Sequence, residues 1–232
     1  MRTRLRQVAL VAEDLPAAEG TIERELGVEL CFRDPGVAAF GLVNALWPIG
    51  DTLLEVVSPA ADGTTAGRLL DKRGGDGGYM VIVQVDDLAE ARQRAEAADV
   101  RVVFEAVGEG ITGLHLHPRD IGGAILSLDE TDDWDDWPWA GPRWREHVRV
   151  DTVTDILAVE VEAHDPAAMA ARWAEVLGTS ADGTTVVLDE GEIRFVPASA
   201  RGEGVSGFEL AAAEGPDRAI ELCGCRARLV AP

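Results

Sequence analysis

The chain has 232 residues, 47% apolar and 27% charged, which is enough for a packed core without disulfide or metal staples and lies outside the composition of disordered chains. Its formal net charge of −21 repels phosphate backbones and anionic lipid headgroups, so no nucleic acid and no membrane partner is expected. No apolar run approaches the ~20 residues that span a bilayer. The start, Met1-Arg-Thr-Arg-Leu-Arg, runs straight into a strand pattern, and the odd cysteine set Cys31, Cys223 and Cys225 suits free thiols, so the expected location is cytoplasmic.

The first strand pattern runs from Arg4 to Ala12, with Gln7, Ala9 and Val11 on one face and Val8, Leu10 and Ala12 on the other. Asp14 then reads as an N-cap, Leu15, Ala18, Ile22 and Leu26 as a helical stripe, and Gly27 as its stop. Three strands are expected next, at Val28 to Arg33, Val37 to Leu46 and Thr52 to Ser58, which makes a βαβββ unit. A connector from Asp62 to Gly78 holds a short helix at Thr65 to Lys72 and a glycine-rich stretch.

A second unit repeats the order: a strand at Tyr79 to Val85, a helix from Asp87 to about Ala98, and strands near Arg101 to Ala106, Thr112 to His117 and Ala124 to Leu128, the last turn being Gly122-Gly123. The acidic segment after Asp129 carries Trp134, Trp137, Trp139 and Trp144, whose rings need apolar surface, so it reads as a strap packed on its own barrel or on a partner subunit. The alternative is an aromatic cage for a cationic ligand. Beyond it, Asp155 to Ala163 leads through Asp165-Pro166 into a helix ending at Gly178, followed by strands at Thr184 to Leu188 and Ile193 to Pro197. A shortened fourth unit is expected as a strand at Val205 to Ala211, a helix from Pro216 to Cys223 and a strand at Cys225 to Val230.

The fold class is therefore α+β: tandem βαβββ units forming a curved mixed-sheet barrel, with a second, shortened pair at the C-terminus. The expected domains are 1–129, a strap at 130–149, and 150–232. The repeat is explicit, because Gln7-Val-Ala-Leu-Val-Ala-Glu-Asp14-Leu15 recurs as Met80-Val-Ile-Val-Gln-Val-Asp-Asp87-Leu88, and Glu55 and Ser127 follow Gln7 and Met80 at spacings of 48 and 47.

These paired units, with Asn44-Ala-Leu-Trp-Pro-Ile-Gly-Asp-Thr-Leu-Leu-Glu-Val-Val-Ser-Pro59 and Leu116-His-Pro-Arg-Asp-Ile-Gly-Gly-Ala-Ile-Leu-Ser-Leu128, resemble the vicinal oxygen chelate superfamily of glyoxalase I, methylmalonyl-CoA epimerase, extradiol dioxygenases and bleomycin-resistance proteins. The resemblance implies a concave sheet carrying a divalent metal, with ligands at Gln7, Glu55, Met80 and Ser127. Only Gln7 and Glu55 are ligand types there, since a thioether suits a hard or borderline dication poorly and a serine hydroxyl is weak unless deprotonated. His115 and His117, at i and i+2, would complete an N2O2 set with them if the strand parity allows. Otherwise these histidines line the pocket or support a turn.

The leading function is then small-molecule binding by a glyoxalase-like protein with a degenerate metal site, in a pocket of Gln7, Asn44, Trp47, Glu55, Met80, His115, His117 and Ser127. No cofactor is expected unless a divalent metal completes the half-site. A carboxylate on an apolar face should have a raised pKa, which suits Glu55 as a general base. That supports the alternative of a metal-dependent isomerase, lyase or dioxygenase. A second alternative is sequestration of a drug in the bleomycin-resistance manner. The resemblance also implies a homodimer, unless the repeats close a barrel within one chain.

Overall fold

The two aspartates that end the repeated runs both cap helices. Asp14 Oδ1 accepts from Ala17 N at 3.0 Å and Asp87 Oδ1 from Glu90 N at 2.7 Å, each satisfying a donor that the first helical turn leaves open. Asp165 repeats the device with Ala168 N at 3.0 Å. Strand, Asp cap and helix therefore recur three times along the chain.

The computed structural model describes residues 1–231. The first unit is β1 (Thr3–Val11), α1 (Leu15–Leu26), β2 (Leu42–Ile49) and β3 (Thr52–Pro59), followed by the connector helix α2 (Thr65–Arg73). The second is β4 (Gly77–Val85), α3 (Leu88–Ala97), β5 (Val102–Gly108), β6 (Ile111–Leu116), the short α4 (Pro118–Ile121) and β7 (Ile125–Thr131). The third is β8 (Val153–Ala163), α5 (Pro166–Leu177), β9 (Ala181–Asp182), β10 (Thr185–Val187) and β11 (Glu192–Pro197), and the last is β12 (Gly204–Ala212), β13 (Arg218–Leu222) and β14 (Cys225–Val230). They form two seven-stranded mixed sheets, ordered β2-β3-β1-β4-β7-β6-β5 and β13-β14-β12-β8-β11-β10-β9. This is the expected α+β architecture of tandem βαβββ units with a second pair. Among the described residues no helix is long and apolar enough to cross a membrane.

The chain divides into two compact units. One contains Met1–Arg6, Met80–Pro138 and Leu157–Val205, and the other Gln7–Tyr79, Trp139–Ile156 and residues 206–231. In the first, Trp173 of α5 is fully buried, meets Phe195 edge-on at 5.4 Å and donates through Nε1 to Gly122 O at 3.2 Å. In the second, α1 buries Leu15, Ala18, Ile22 and Leu26.

Three expected elements differ. The strand at Val28 to Arg33 shrinks to a single bridge between Phe32 and Leu46. The one at Val37 to Leu46 begins only at Leu42, because Asp34 caps a 3-10 helix at Pro35–Phe40, accepting from Gly36 N at 2.8 Å, and Gly41 closes it with φ +70°. The helix at Pro216 to Cys223 is instead strand β13. Arg218-Ala-Ile-Glu-Leu222 pairs antiparallel with β14, and Cys223 and Gly224, both at positive φ, make the two-residue hairpin between Leu222 and Cys225.

The tryptophan strap packs on its own chain. Trp137 and Trp144 are 0% and 2% exposed. Arg2 and Arg4 stack on Trp134 at 4.3 and 4.6 Å, Arg6 on Trp137 at 5.2 Å, and Arg145 on Trp144 at 4.3 Å. The protein's own guanidinium groups lie against these ring faces.

Candidate functional site

In β1, β2 and β3 the register puts Gln7, Ala9 and Val11 on one face with Leu53, Glu55 and Val57 and with Leu42, Asn44 and Leu46. Glu55 is the charged member, 8% exposed among apolar neighbours. Asn44 Nδ2 donates to its Oε1 at 2.6 Å and Gln7 Nε2 to its Oε2 at 2.9 Å. The Asn44 amide is itself oriented, because its Oδ1 accepts from Asp34 N at 2.8 Å. Burial pushes the Glu55 carboxyl up to about 7, against the two amide hydrogen bonds that favour its charged form and with the field of Asp34 adding to the rise. The lone tyrosine, Tyr79, has its phenol pushed up to about 12 by burial and by the field of Glu55, partly offset by Arg68.

Trp47, expected in the pocket, does not share that face. It pairs with Leu54, one residue out of phase with Glu55, is fully buried, and donates through Nε1 to Glu23 Oε1 of α1 at 3.3 Å. Period two puts the indole on the helix side of the sheet.

Met80, Ser127 and His115 share one face of β4, β7 and β6, since Met80 pairs with Ile125, Ile82 with Ser127, and Ser127 with His115. The Ser127 hydroxyl donates to Asp129 Oδ1, two residues along the same strand face. Burial pulls the His115 imidazole down to about 4, so it is neutral at physiological pH, and Phe104 lies 5.4 Å from its ring. His117 lies beyond the end of β6 as the N-cap of α4, its Nδ1 accepting from Arg119 N at 3.0 Å. It supports a turn, so the i and i+2 histidine pair does not form one ligand face.

Asp129 and Gly113 were not singled out in the sequence. A β-carbon on Gly113 would lie 2.6 Å from Asp129 Oδ2, so the carboxyl group occupies the space that only glycine leaves. Gly113→Ala should therefore displace Asp129 from Ser127 and cost about 1–3 kcal/mol, measurable as a lowered urea midpoint at unchanged slope. An unchanged midpoint would mean that Asp129 has other room. The period-two spacing from Ser127 was the available signal for Asp129.

The donor set does not suit the superfamily's divalent metal. The Met80 position offers a thioether and the Ser127 hydroxyl is turned to Asp129, which leaves only Gln7 and Glu55 as ligand types. Among the described residues no three His, Cys, Asp or Glu side chains are grouped as a metal would need.

A family model described as a glyoxalase-like domain matches residues 8–177. The ethylmalonyl-CoA/methylmalonyl-CoA epimerase of Cereibacter sphaeroides is 28% identical over 137 residues, covering 55% of this chain and 97% of that protein. The crystal structure of methylmalonyl-CoA epimerase from Mycobacterium tuberculosis superposes with a TM-score of 0.50 at 26% identity, over 55% of this chain and 87% of that one. A hypothetical protein from Staphylococcus aureus covers 100% of both chains at a TM-score of 0.74 and 12% identity, a likeness of fold alone.

Proposed function

The chain belongs to the glyoxalase-like domain family of the vicinal oxygen chelate superfamily, and from that premise we propose that it binds a small molecule at a buried carboxyl group in place of a metal ion. One observation carries the reading: both Glu55 oxygens lie on the amide donors of Asn44 and Gln7. Two amides fix the carboxyl group and leave each oxygen a further lone pair, so it stands as an oriented acceptor for a hydrogen-bonding ligand. The other two superfamily ligand positions carry Met80 and Ser127, which supports a degenerate metal site. Drug sequestration at the strap gains no support, since the protein's own arginines lie on its rings.

The raised pKa of Glu55 favours a second reading, proton transfer next to a carbonyl, and a relative named as an ethylmalonyl-CoA/methylmalonyl-CoA epimerase is in keeping with it. With a pKa of about 7 the group is present in both forms at neutral pH, as a general base requires. Against a coenzyme A ester stands the net charge of −21, which opposes an unshielded polyanionic ligand.

Calorimetric titration with acyl-CoA thioesters and with small carbonyl compounds, before and after dialysis against chelator, tests the binding reading. Affinity that survives dialysis is expected; affinity lost with chelator and restored by Zn, Ni, Mn, Fe(II) or Co would overturn it. For proton transfer, methylmalonyl-CoA in D2O is followed by NMR for loss of its α-proton. On that reading Glu55→Gln slows exchange by about 10²–10⁴-fold, and no exchange by the wild-type protein removes it.

A further inference from the structure

The face that carries Gln7, Asn44 and Glu55 continues at the same period-two positions into Val11, Leu42 and Val57. These three are 1–4% exposed because the connector helix α2 stands on them through Ala66 and Leu70, with Val37, Leu69 and Tyr79 packed at the margin. The helix is nine residues long and buries only Ala66, Leu70 and Arg73. Gly63 precedes it and Gly74 and Gly75 follow it, all at positive φ, and a β-carbon at any of them would meet nothing within 4 Å. Its ends are tied by caps: Thr64 Oγ1 accepts from Gly67 N at 2.9 Å, and Gly75 N donates to Leu70 O at 2.9 Å. A short helix with a small apolar footprint is the kind of element that opens locally at low cost, its buried Arg73 being the tie beyond the caps.

We propose that α2 is a displaceable cover over the apolar half of the ligand site. Moved aside, it exposes a wall of Val11, Leu42 and Val57 on the face of Glu55, bordered by Tyr79. The ligand class that fits is an uncharged head donating a hydrogen bond to Glu55, joined to a short apolar body that takes the place of Ala66 and Leu70. The proposal rests on Glu55 being the recognition centre.

Tyr79 is the sole tyrosine, so ring-labelled protein gives a single NMR reporter at this wall. Acetamide and hexanamide are the probes, the second adding the apolar body. Hexanamide is expected to shift the Tyr79 signal and to bind at least about tenfold more tightly than acetamide. Bound hexanamide is expected to accelerate amide hydrogen exchange at residues 66–75. Leu70→Ala, which weakens the closed state, is expected to raise hexanamide affinity several-fold. Protection or unchanged exchange at 66–75 with hexanamide bound overturns the cover, as does weaker binding by Leu70→Ala; silence of Tyr79 to both amides overturns the ligand class. Glu55→Gln separates the two ideas. If hexanamide affinity is unchanged in that variant while exchange still accelerates, the cover stands and the Glu55 anchor falls; if affinity drops while exchange at 66–75 never responds, the anchor stands and the cover falls.

Discussion

Glu55→Gln should abolish a component of the fall in folding stability that the wild-type protein shows as pH rises from about 4.5 to about 7. The sign follows from where each state gives up its proton. The unfolded carboxyl ionises near 4.5 and the folded one only near 7, so across that window the native state holds a proton that the unfolded state has lost. Stability from this group is complete below the window, declines through it and is constant above it. The displacement corresponds to roughly 3 kcal/mol at neutral pH. The cause is burial of the charged form, which the hydrogen bonds from Asn44 and Gln7 only partly compensate. Glutamine cannot ionise, and its carbonyl can still accept from the Asn44 amide that Asp34 N orients. Urea unfolding of both proteins at several pH values between 4 and 8 isolates the effect, because every other carboxylate is common to the two. The stability difference should move in favour of the variant by roughly 3 kcal/mol between the two ends. Parallel curves would show that Glu55 titrates in the native state as it does in the unfolded one, and the neutral-pH chemistry proposed for it would go with them.

Trp137→Ala should cost about 3–5 kcal/mol, the loss expected for truncating a fully buried aromatic side chain. The ring is 0% exposed, and the Arg6 guanidinium, also fully buried, lies 5.2 Å from its centroid while donating to Asp135 O at 3.1 Å. Truncation removes the packing area and leaves a desolvated cation facing a cavity. Trp139→Ala, at a half-buried position, should cost distinctly less. Chemical denaturation of the two variants decides it; a loss under about 1 kcal/mol at Trp137 would reduce the strap to a spacer.

The acid-rich segment shows how far the sequence could be read. Four tryptophans among aspartates demand cover, but nothing local says whether a ligand, a partner or the chain's own arginines provide it. Arg2, Arg4 and Arg6 precede the tryptophans they meet by well over a hundred residues. The candidate site divides in the same way. Parity along β1 and β3 was enough to put Gln7 and Glu55 on one face, and the register agrees. Parity along β2 places Trp47 out of phase with Asn44, a check the sequence permitted, whereas the end of β6 before His117 depended on the helix cap that follows. Segment 216–223 carries apolar residues that suit a helix as well as a strand, and pairing with β14 decides it.

The recurring strand, aspartate cap and helix, and the spacings that make Gln7 and Met80, and Glu55 and Ser127, equivalent, are legible without coordinates. Caps and period-two faces are local, and a chain carries them wherever it folds. Packing across the fold is what holds Glu55 on two amides with its carboxyl pushed up to about 7, stands α2 on the same face, and fills the space above Gly113 with Asp129. Those depend on burial and on which distant groups come within hydrogen-bonding reach, collective properties of the packed chain that no window of residues contains.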